Sequence, residues 1–393
     1  MPETAALISS PIGVLASLCA VAGFFFYLER ATGAKLFQYV PPLLFIYITP
    51  VILSNVSIGG ASIIPNKSII YSGLSTYALP AFIVLMLIKV DVPSVIRIMG
   101  KGVLVMLMGT AGVMVGGVVS YMIVHRWLSD DAWMGFGALA GSWIGGTANM
   151  AATKEMLGTS SELFGLAVIA DNAVYIVWLP LLLMSRNFAD RFNAWARVPA
   201  ERLAAMEAAA ELHVEEEHPP TMPEYVFLAA IVIGVTWIGA TFEPLAPVFG
   251  ESTTRILLVT TVALLLSATP VSRLPNSTAM GTALVYIFVA GIGARAEIAG
   301  LAQAPAFLLG AFIWIFIHGA FCLAGARIFR VDVHSVAIAS AANIGAAASA
   351  PIVAAHHKPS LVPVSVLMAL LGYAMGNYLA PLTGYLAKFA VGQ

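Results

Sequence analysis

The sequence predicts an all-α polytopic membrane protein: two six-segment repeats, inverted relative to each other, each with a broken or re-entrant glycine-rich fifth segment, giving 10–12 transmembrane helices. Three observations predict it. Of 393 residues 60% are hydrophobic and 10% charged, with mean hydropathy +0.92, whereas a soluble domain carries roughly 25% charged residues. Apolar windows of spanning length recur along the whole chain. Short motifs also recur, in the same order, in its two halves.

The windows of the first half fall at about 8–28, 37–56, 69–90, 102–125, 132–152 and 160–184. The first reads as a retained membrane segment, because no basic group precedes it as in a signal peptide. A polar stretch, 185–222, separates the membrane repeats 1–184 and 223–393. It holds four arginines and seven acids, and Phe188, Phe192 and Trp195 share one helical face. That pattern predicts an interfacial amphipathic helix, then a solvated helix over 200–213; the basic start places this linker in the cytoplasm. Six further windows follow at about 223–247, 254–269, 278–294, 304–328, 334–355 and 360–388.

Ile144-Gly145…Ala148 matches Ile344-Gly345…Ala348 at an offset of 200, and Pro180-Leu181 matches Pro381-Leu382 at 201. Thr49-Pro50-Val51 matches Thr269-Pro270-Val271 at 220. Twelve crossings would give two halves of equal orientation, with 10 Lys and Arg inside against 9 outside. If the fifth segment of each half enters and leaves on one side, the division becomes 13 inside against 6 outside. A positive-inside bias of that size favours the re-entrant arrangement.

The run Gly141-Ser142-Trp143-Ile144-Gly145-Gly146-Thr147-Ala148-Asn149-Met150 interrupts what would otherwise be a membrane helix. Irregular backbone at membrane depth survives only where protein or a wet cavity satisfies its polar groups. The plainer reading is close packing through small residues four apart; the functional one is a discontinuous helix whose free N–H ends face an anion and whose carbonyls face a cation. Gly145, Gly146, Asn343, Gly345, Ser349, Asn377 and Lys154 are the candidate substrate-binding residues. Thr147, Asn149, Asp171 and Asn172 are the candidates for ion coupling. Asp171 stands alone in a long uncharged run, and a carboxylate there costs about 2.5–3.5 kcal/mol on insertion scales. It suits sodium or, protonated, a proton. Lys154 and Glu155 read either as a solvated pair at the mouth or as a counter-charge for an anion. His318 reads as a packed histidine, and His356-His357-Lys358 as a solvated rim.

No His, Cys, Asp and Glu spacing suits a metal, beyond a sodium ion at Asp171, and no nucleophile elbow or phosphate loop is present. The expectation is therefore a protein with no cofactor and no enzymatic activity. No basic cluster suits nucleic acid. Cys19 and Cys322 read as small hydrophobes.

Thr147-Ala148 followed by Asp171-Asn172 resembles the sodium/proton antiporter fold and its bile-acid and glutamate symporter relatives. There an unwound Thr/Ala-containing helix precedes a helix bearing an Asp-Asp or Asn-Asp pair; the order Asp-Asn departs from that pattern. The broken helices of that superfamily cross the membrane, which implies twelve crossings. Over nearly its whole length the chain resembles the YjcL-like integral-membrane family, the domain of unknown function 819, notably in Pro41-Pro42-Leu43-Leu44, Thr49-Pro50 and Gly145-Gly146-Thr147-Ala148-Asn149. The implied function is secondary active transport: sodium- or proton-coupled symport of a small organic anion, a carboxylate, amino acid or cell-wall-derived peptide. Cation/proton antiport is the alternative. The implied setting is a homodimer in the bacterial inner membrane.

Overall fold

The computed structural model describes residues 6–33, 37, 42–199, 201, 219–242, 251–296 and 304–393. Apart from a two-stranded ribbon, Ser57–Ile58 with Ala61–Ser62, the described elements are helical. The first half comprises α1 (Pro11–Thr32), α2 (Pro42–Asn55), α3 (Ile69–Leu87), the short α4 (Val92–Met99), α5 (Lys101–Val124), α6 (Ala132–Leu157) and α7 (Ser161–Ser185). After α8 (Ala189–Ala196) come α9 (Met222–Phe242), α10 (Glu251–Ser267), α11 (Ser277–Arg295), α12 (Ala304–Phe329), α13 (Val333–Asn343), α14 (Ala346–His357) and α15 (Val362–Ala390). Among the described residues eight helical stretches are long and apolar enough to cross a bilayer; α2 and much of α10 are shorter apolar helices.

The glycine-broken segments fold back. A straight helix over 132–157 would hold Gly137 and Leu157 about 30 Å apart at 1.5 Å per residue. Instead a Leu157 methyl lies against Gly137, and a Cβ on Gly141 would stand 2.8 Å from Met150 Cα. The turn is at Gly146, whose φ of 79° and ψ of −173° lie in a region essentially closed to other residues. Likewise Ser349 Oγ donates to Ala341 O at 2.9 Å, and His334 Nδ1 meets His357 Nδ1 at 3.0 Å. Residues 333–357 therefore form a second hairpin, turning at Gly345 (φ 99°) and Ala346 (φ 50°). Arms of 11–14 residues are about 16–21 Å long, enough to reach the middle of a roughly 30 Å hydrocarbon layer and no further.

Helices α5 and α12 run antiparallel. Gly109 lies beside His318 and Cys322, Gly116 beside Trp314, and Gly310 beside Val124. Five crossings between them would make them parallel; four crossings and one hairpin make them opposed. The chain thus departs from the crossing broken helices that the antiporter resemblance implied. Topology is open to direct test: cysteines at Arg126 and Ser160 should label from one face of the membrane. Cysteines at Arg330 and His356 should label from the other, with membrane-impermeant maleimide as the reagent.

Pro180 and Pro381 occupy like places inside α7 and α15. The Thr-Pro match does not hold up: Pro50 lies inside α2, whereas Pro270 opens a 3₁₀ turn beyond α10. In the linker, α8 packs on α12 and α13, and Asn193 Oδ1 accepts from Val333 N at 3.1 Å. Phe192 is partly buried and Trp195 exposed, so one face of the predicted amphipathic helix is docked on protein. The predicted helix over 200–213 lies almost wholly outside the described residues, as does Pro41.

The helices divide into two packed groups. In one, α11 packs on α2 and α3, α10 on α9 and α3, and α1 on α2. In the other, α15 packs on both hairpins and α5 on α12. Among the described residues the groups are joined by Tyr47 Oη to Ser161 O (2.9 Å), Thr253 Oγ1 to Met156 O (2.8 Å), Asn377 Nδ2 to Thr260 Oγ1 (2.9 Å), Thr261 Oγ1 with Tyr378 Oη (2.8 Å) and Arg295 with Glu155 (3.7 Å), among other contacts.

Candidate functional site

The two hairpin tips meet. A Cβ added to Gly146 would lie 2.8 Å from the Ala346 methyl and 3.1 Å from the Tyr373 ring. Each tip brings together the C-terminus of one arm and the N-terminus of the next. Two partial negative and two partial positive helix ends therefore converge near mid-depth. Helix ends carry unsatisfied carbonyls and N–H groups, so this is where the membrane part of the fold offers polar backbone to a solute.

Asp171 lies ten residues into α7. Its Oδ2 accepts from Ser142 Oγ at 2.9 Å and its Oδ1 from Trp143 Nε1 at 2.8 Å. Both donors belong to the last turn of the first hairpin's leading arm. One helical turn along α7, the Tyr175 ring packs against Gly345 at the other tip. Asp171, Tyr175, Thr147, Gly345 and Ala347 keep some exposure, while most of their neighbours are buried. Asp171 is thus held by the first hairpin and stands one turn from the second.

Several predicted site residues lie elsewhere or are already satisfied. Asn172 donates to Val168 O at 2.7 Å within its own helix; consecutive helical residues point about 100° apart, so it is no second ligand beside Asp171. Asn343 is fully buried and gives its amide to Met106 O (3.2 Å), while Thr110 Oγ1 donates to its Oδ1 (3.4 Å). Ser349 caps the tip by donating to Ala341 O and Ile344 O (3.0 Å). Lys154 is neither solvated nor at the tips. It sits in the last turn of the second arm, 6% exposed, paired to Glu155 at 2.9 Å, and Arg295 approaches the same carboxylate at 3.7 Å. As a counter-charge for a solute at the tips it is corrected by distance along the arm. His357 is buried against His334 and Leu182 O (2.9 Å), not on a solvated rim. His318 is packed as expected, between Gly109 O and Ser340 Oγ, both at 2.9 Å.

Asn149 and Asn377 do come together. Asn149 Nδ2 donates to Asn377 Oδ1 at 2.8 Å and to Tyr373 O at 3.0 Å. With Ala148 and Tyr373 they line a crevice whose far wall is Ile83, Met86 and Leu87 of α3. Its space is about 10 Å³, room for one water at most. Gly145 packs against Gly372 O and the Asn149 side chain, which leaves no place for a Cβ. Sequence reasoning missed Ser142, Trp143, Tyr175 and Tyr373; the signal for the first two was their place inside the glycine run. Among the described residues no three His, Cys, Asp or Glu side chains gather as metal ligands.

Length, apolarity and helix content define a multi-pass α-helical membrane protein. The family model described as a protein of unknown function, DUF819, matches residues 16–389, and the chain belongs to that family. It is similar to the uncharacterized membrane protein YjcL of Bacillus subtilis (strain 168): 24% identity over 337 residues, covering 82% of this chain and 85% of that protein.

Proposed function

We propose that the protein is a secondary active transporter that couples the movement of a small organic anion to a cation held at Asp171. The observation that carries this reading is the meeting of two hairpin tips at mid-depth beside a lone carboxylate. Paired N-terminal helix ends suit the anion, and the carboxylate with C-terminal ends suits the cation. The group holding both hairpins, α7 and α15 moves against the group holding α3, α10 and α11, carrying the site from one face to the other. The Asn149–Asn377 crevice lies on that seam, and in this state it is too narrow for an organic solute. The lysine and arginine distribution supports a cytoplasmic linker in the inner membrane of a bacterium. A homodimer remains part of the proposal, since α1 and α9 bury few residues within one chain.

Proteoliposome uptake tests it. An imposed sodium or proton gradient should drive accumulation of one member of a labelled panel of carboxylates, amino acids and short acidic peptides. A cation-driven internal pH change with no solute requirement would establish the antiporter instead.

A further inference from the structure

We infer that Lys154, Glu155 and Arg295 form an ionic latch that shuts the outer side of the seam, and that the site opens outward only when Arg295 lets go. The inference rests on the transport reading above and deepens it, because it names the groups that decide which face the site meets.

The first hairpin opens on the face opposite the linker, and its second arm ends at the seam. There Glu155 accepts from Lys154 at 2.9 Å, and the Arg295 guanidinium stands 3.7 Å away. Lys154 belongs to the same arm, so it steadies the carboxylate without crossing the seam. Arg295 ends α11, in the other group, and does cross it. The Ser75 hydroxyl, in a π-helical turn of α3 (Leu74–Ala78), approaches the same carboxylate. The three charged side chains are between 7% and 27% exposed, so water and salt weaken their attraction far less than on an open surface. The residues that follow are tied across the seam as well. Met156 O accepts from Thr253 Oγ1 of α10 at 2.8 Å, and Ser161 O from Tyr47 Oη of α2 at 2.9 Å. One short stretch, 155–161, is thus held by α2, α10 and α11.

The second hairpin is tied differently. At its open end His357 Nε2 donates to Leu182 O at 2.9 Å, Arg186 donates to His356 O, and Val333 N donates to Asn193 Oδ1 at 3.1 Å. Leu182 and Arg186 end α7 and Asn193 lies on α8, so these bonds stay within one moving group. The repeat shows the same difference in sequence. At the offset of 200, Lys154 and Glu155 match Ala354 and Ala355. When α3 is laid on α11, Ile69 on Ser277 at an offset of 208, Arg295 falls on Leu87. The inner counterpart of the latch is therefore apolar. Opening outward breaks an ion pair at this position and opening inward does not, which biases the two states toward the one closed on the outside.

Pulsed electron paramagnetic resonance distances in lipid nanodiscs test the latch without a solute. The full chain carries Cys19→Ser and one labelled pair at a time: Asp130→Cys with Ile69→Cys on the outer face, or His356→Cys with Arg273→Cys on the inner. All four positions are exposed, and each pair spans the seam. With Arg295 in place the outer pair should give mostly one short distance. Arg295→Gln leaves Lys154 and Glu155 paired. It should raise the fraction of longer outer distances roughly tenfold and shorten the inner distance in the same fraction. Arg295→Lys keeps a cation and should stay near the native distribution. Should Arg295→Gln fail to fold, Glu155→Asp serves, because it keeps Lys154 neutralised while drawing the carboxylate back from Arg295. Native distances in the variant overturn the inference. So does an outer change with no inner one, which means local fraying and no change of face. Neither outcome reads uptake: a protein that switches faces in this way yet moves no solute in any gradient defeats the transport reading alone.

Discussion

Replacing Asp171 with Asn should reduce accumulation to the equilibrium level of an uncoupled carrier while the protein stays folded. The substitution keeps shape and volume and removes the charge. The amide oxygen still accepts from Trp143 Nε1, and the amide N–H₂ can donate to Ser142 Oγ, since a hydroxyl accepts as well as donates. Exchanging charge-assisted for neutral hydrogen bonds costs about 1 kcal/mol, and relief of a buried charge offsets part of that cost. Coupling, by contrast, has no substitute, because an amide neither binds nor releases a proton and holds a cation weakly. The expected signature is therefore divided: gradient-driven uptake disappears, and solute exchange across equal concentrations persists. Uptake and exchange in the same proteoliposomes, beside a melt in detergent, read all three quantities. Driven uptake at the normal rate would remove Asp171 from the mechanism.

Asp171 was legible because a charge in an apolar run has no cheap explanation. Ser142 and Trp143 were not, since they reach Asp171 across 29 and 28 residues of sequence, and only the hairpin brings them there. Asn343 and Asn172 show the converse. A polar side chain among apolar ones is satisfied either by a ligand or by a neighbouring backbone, and both cases look alike in sequence. Lys154 was misjudged for a related reason: pairing with Glu155 makes its burial tolerable, and the second cation on that carboxylate, Arg295, comes from a distant helix. The hairpins themselves were legible only through the distribution of distant lysines and arginines. Locally, 132–157 reads as a helix long enough to cross, and only the Gly145-Gly146 pair hints at a reversal.

Gly146→Ala should disable transport and destabilise the protein, and Ala346→Gly in the same chain should recover part of the loss. At Gly146 the backbone conformation alone costs any other residue on the order of 1–3 kcal/mol. Its new methyl would also meet the Ala346 methyl at 2.8 Å, closer than carbon atoms approach, so the tips must part. Gly146→Leu deepens the same conflict, driving a larger side chain into Tyr373 and the seam. Ala346 already sits at φ 50°, a left-handed position that costs an alanine about 1–2 kcal/mol. Ala346→Gly alone releases that strain but loosens the unfolded chain by about 0.4–1 kcal/mol, for a small net gain. In the double variant one methyl has moved from one tip to the other. The φ penalty at 146 remains and the collision is gone. Coupling of roughly 0.5–3 kcal/mol between contacting sites should then appear as a melting temperature above the sum of the single effects. Strict additivity would mean that the two tips do not touch, and the convergence of four helix ends on which the proposed function rests would fall with that contact.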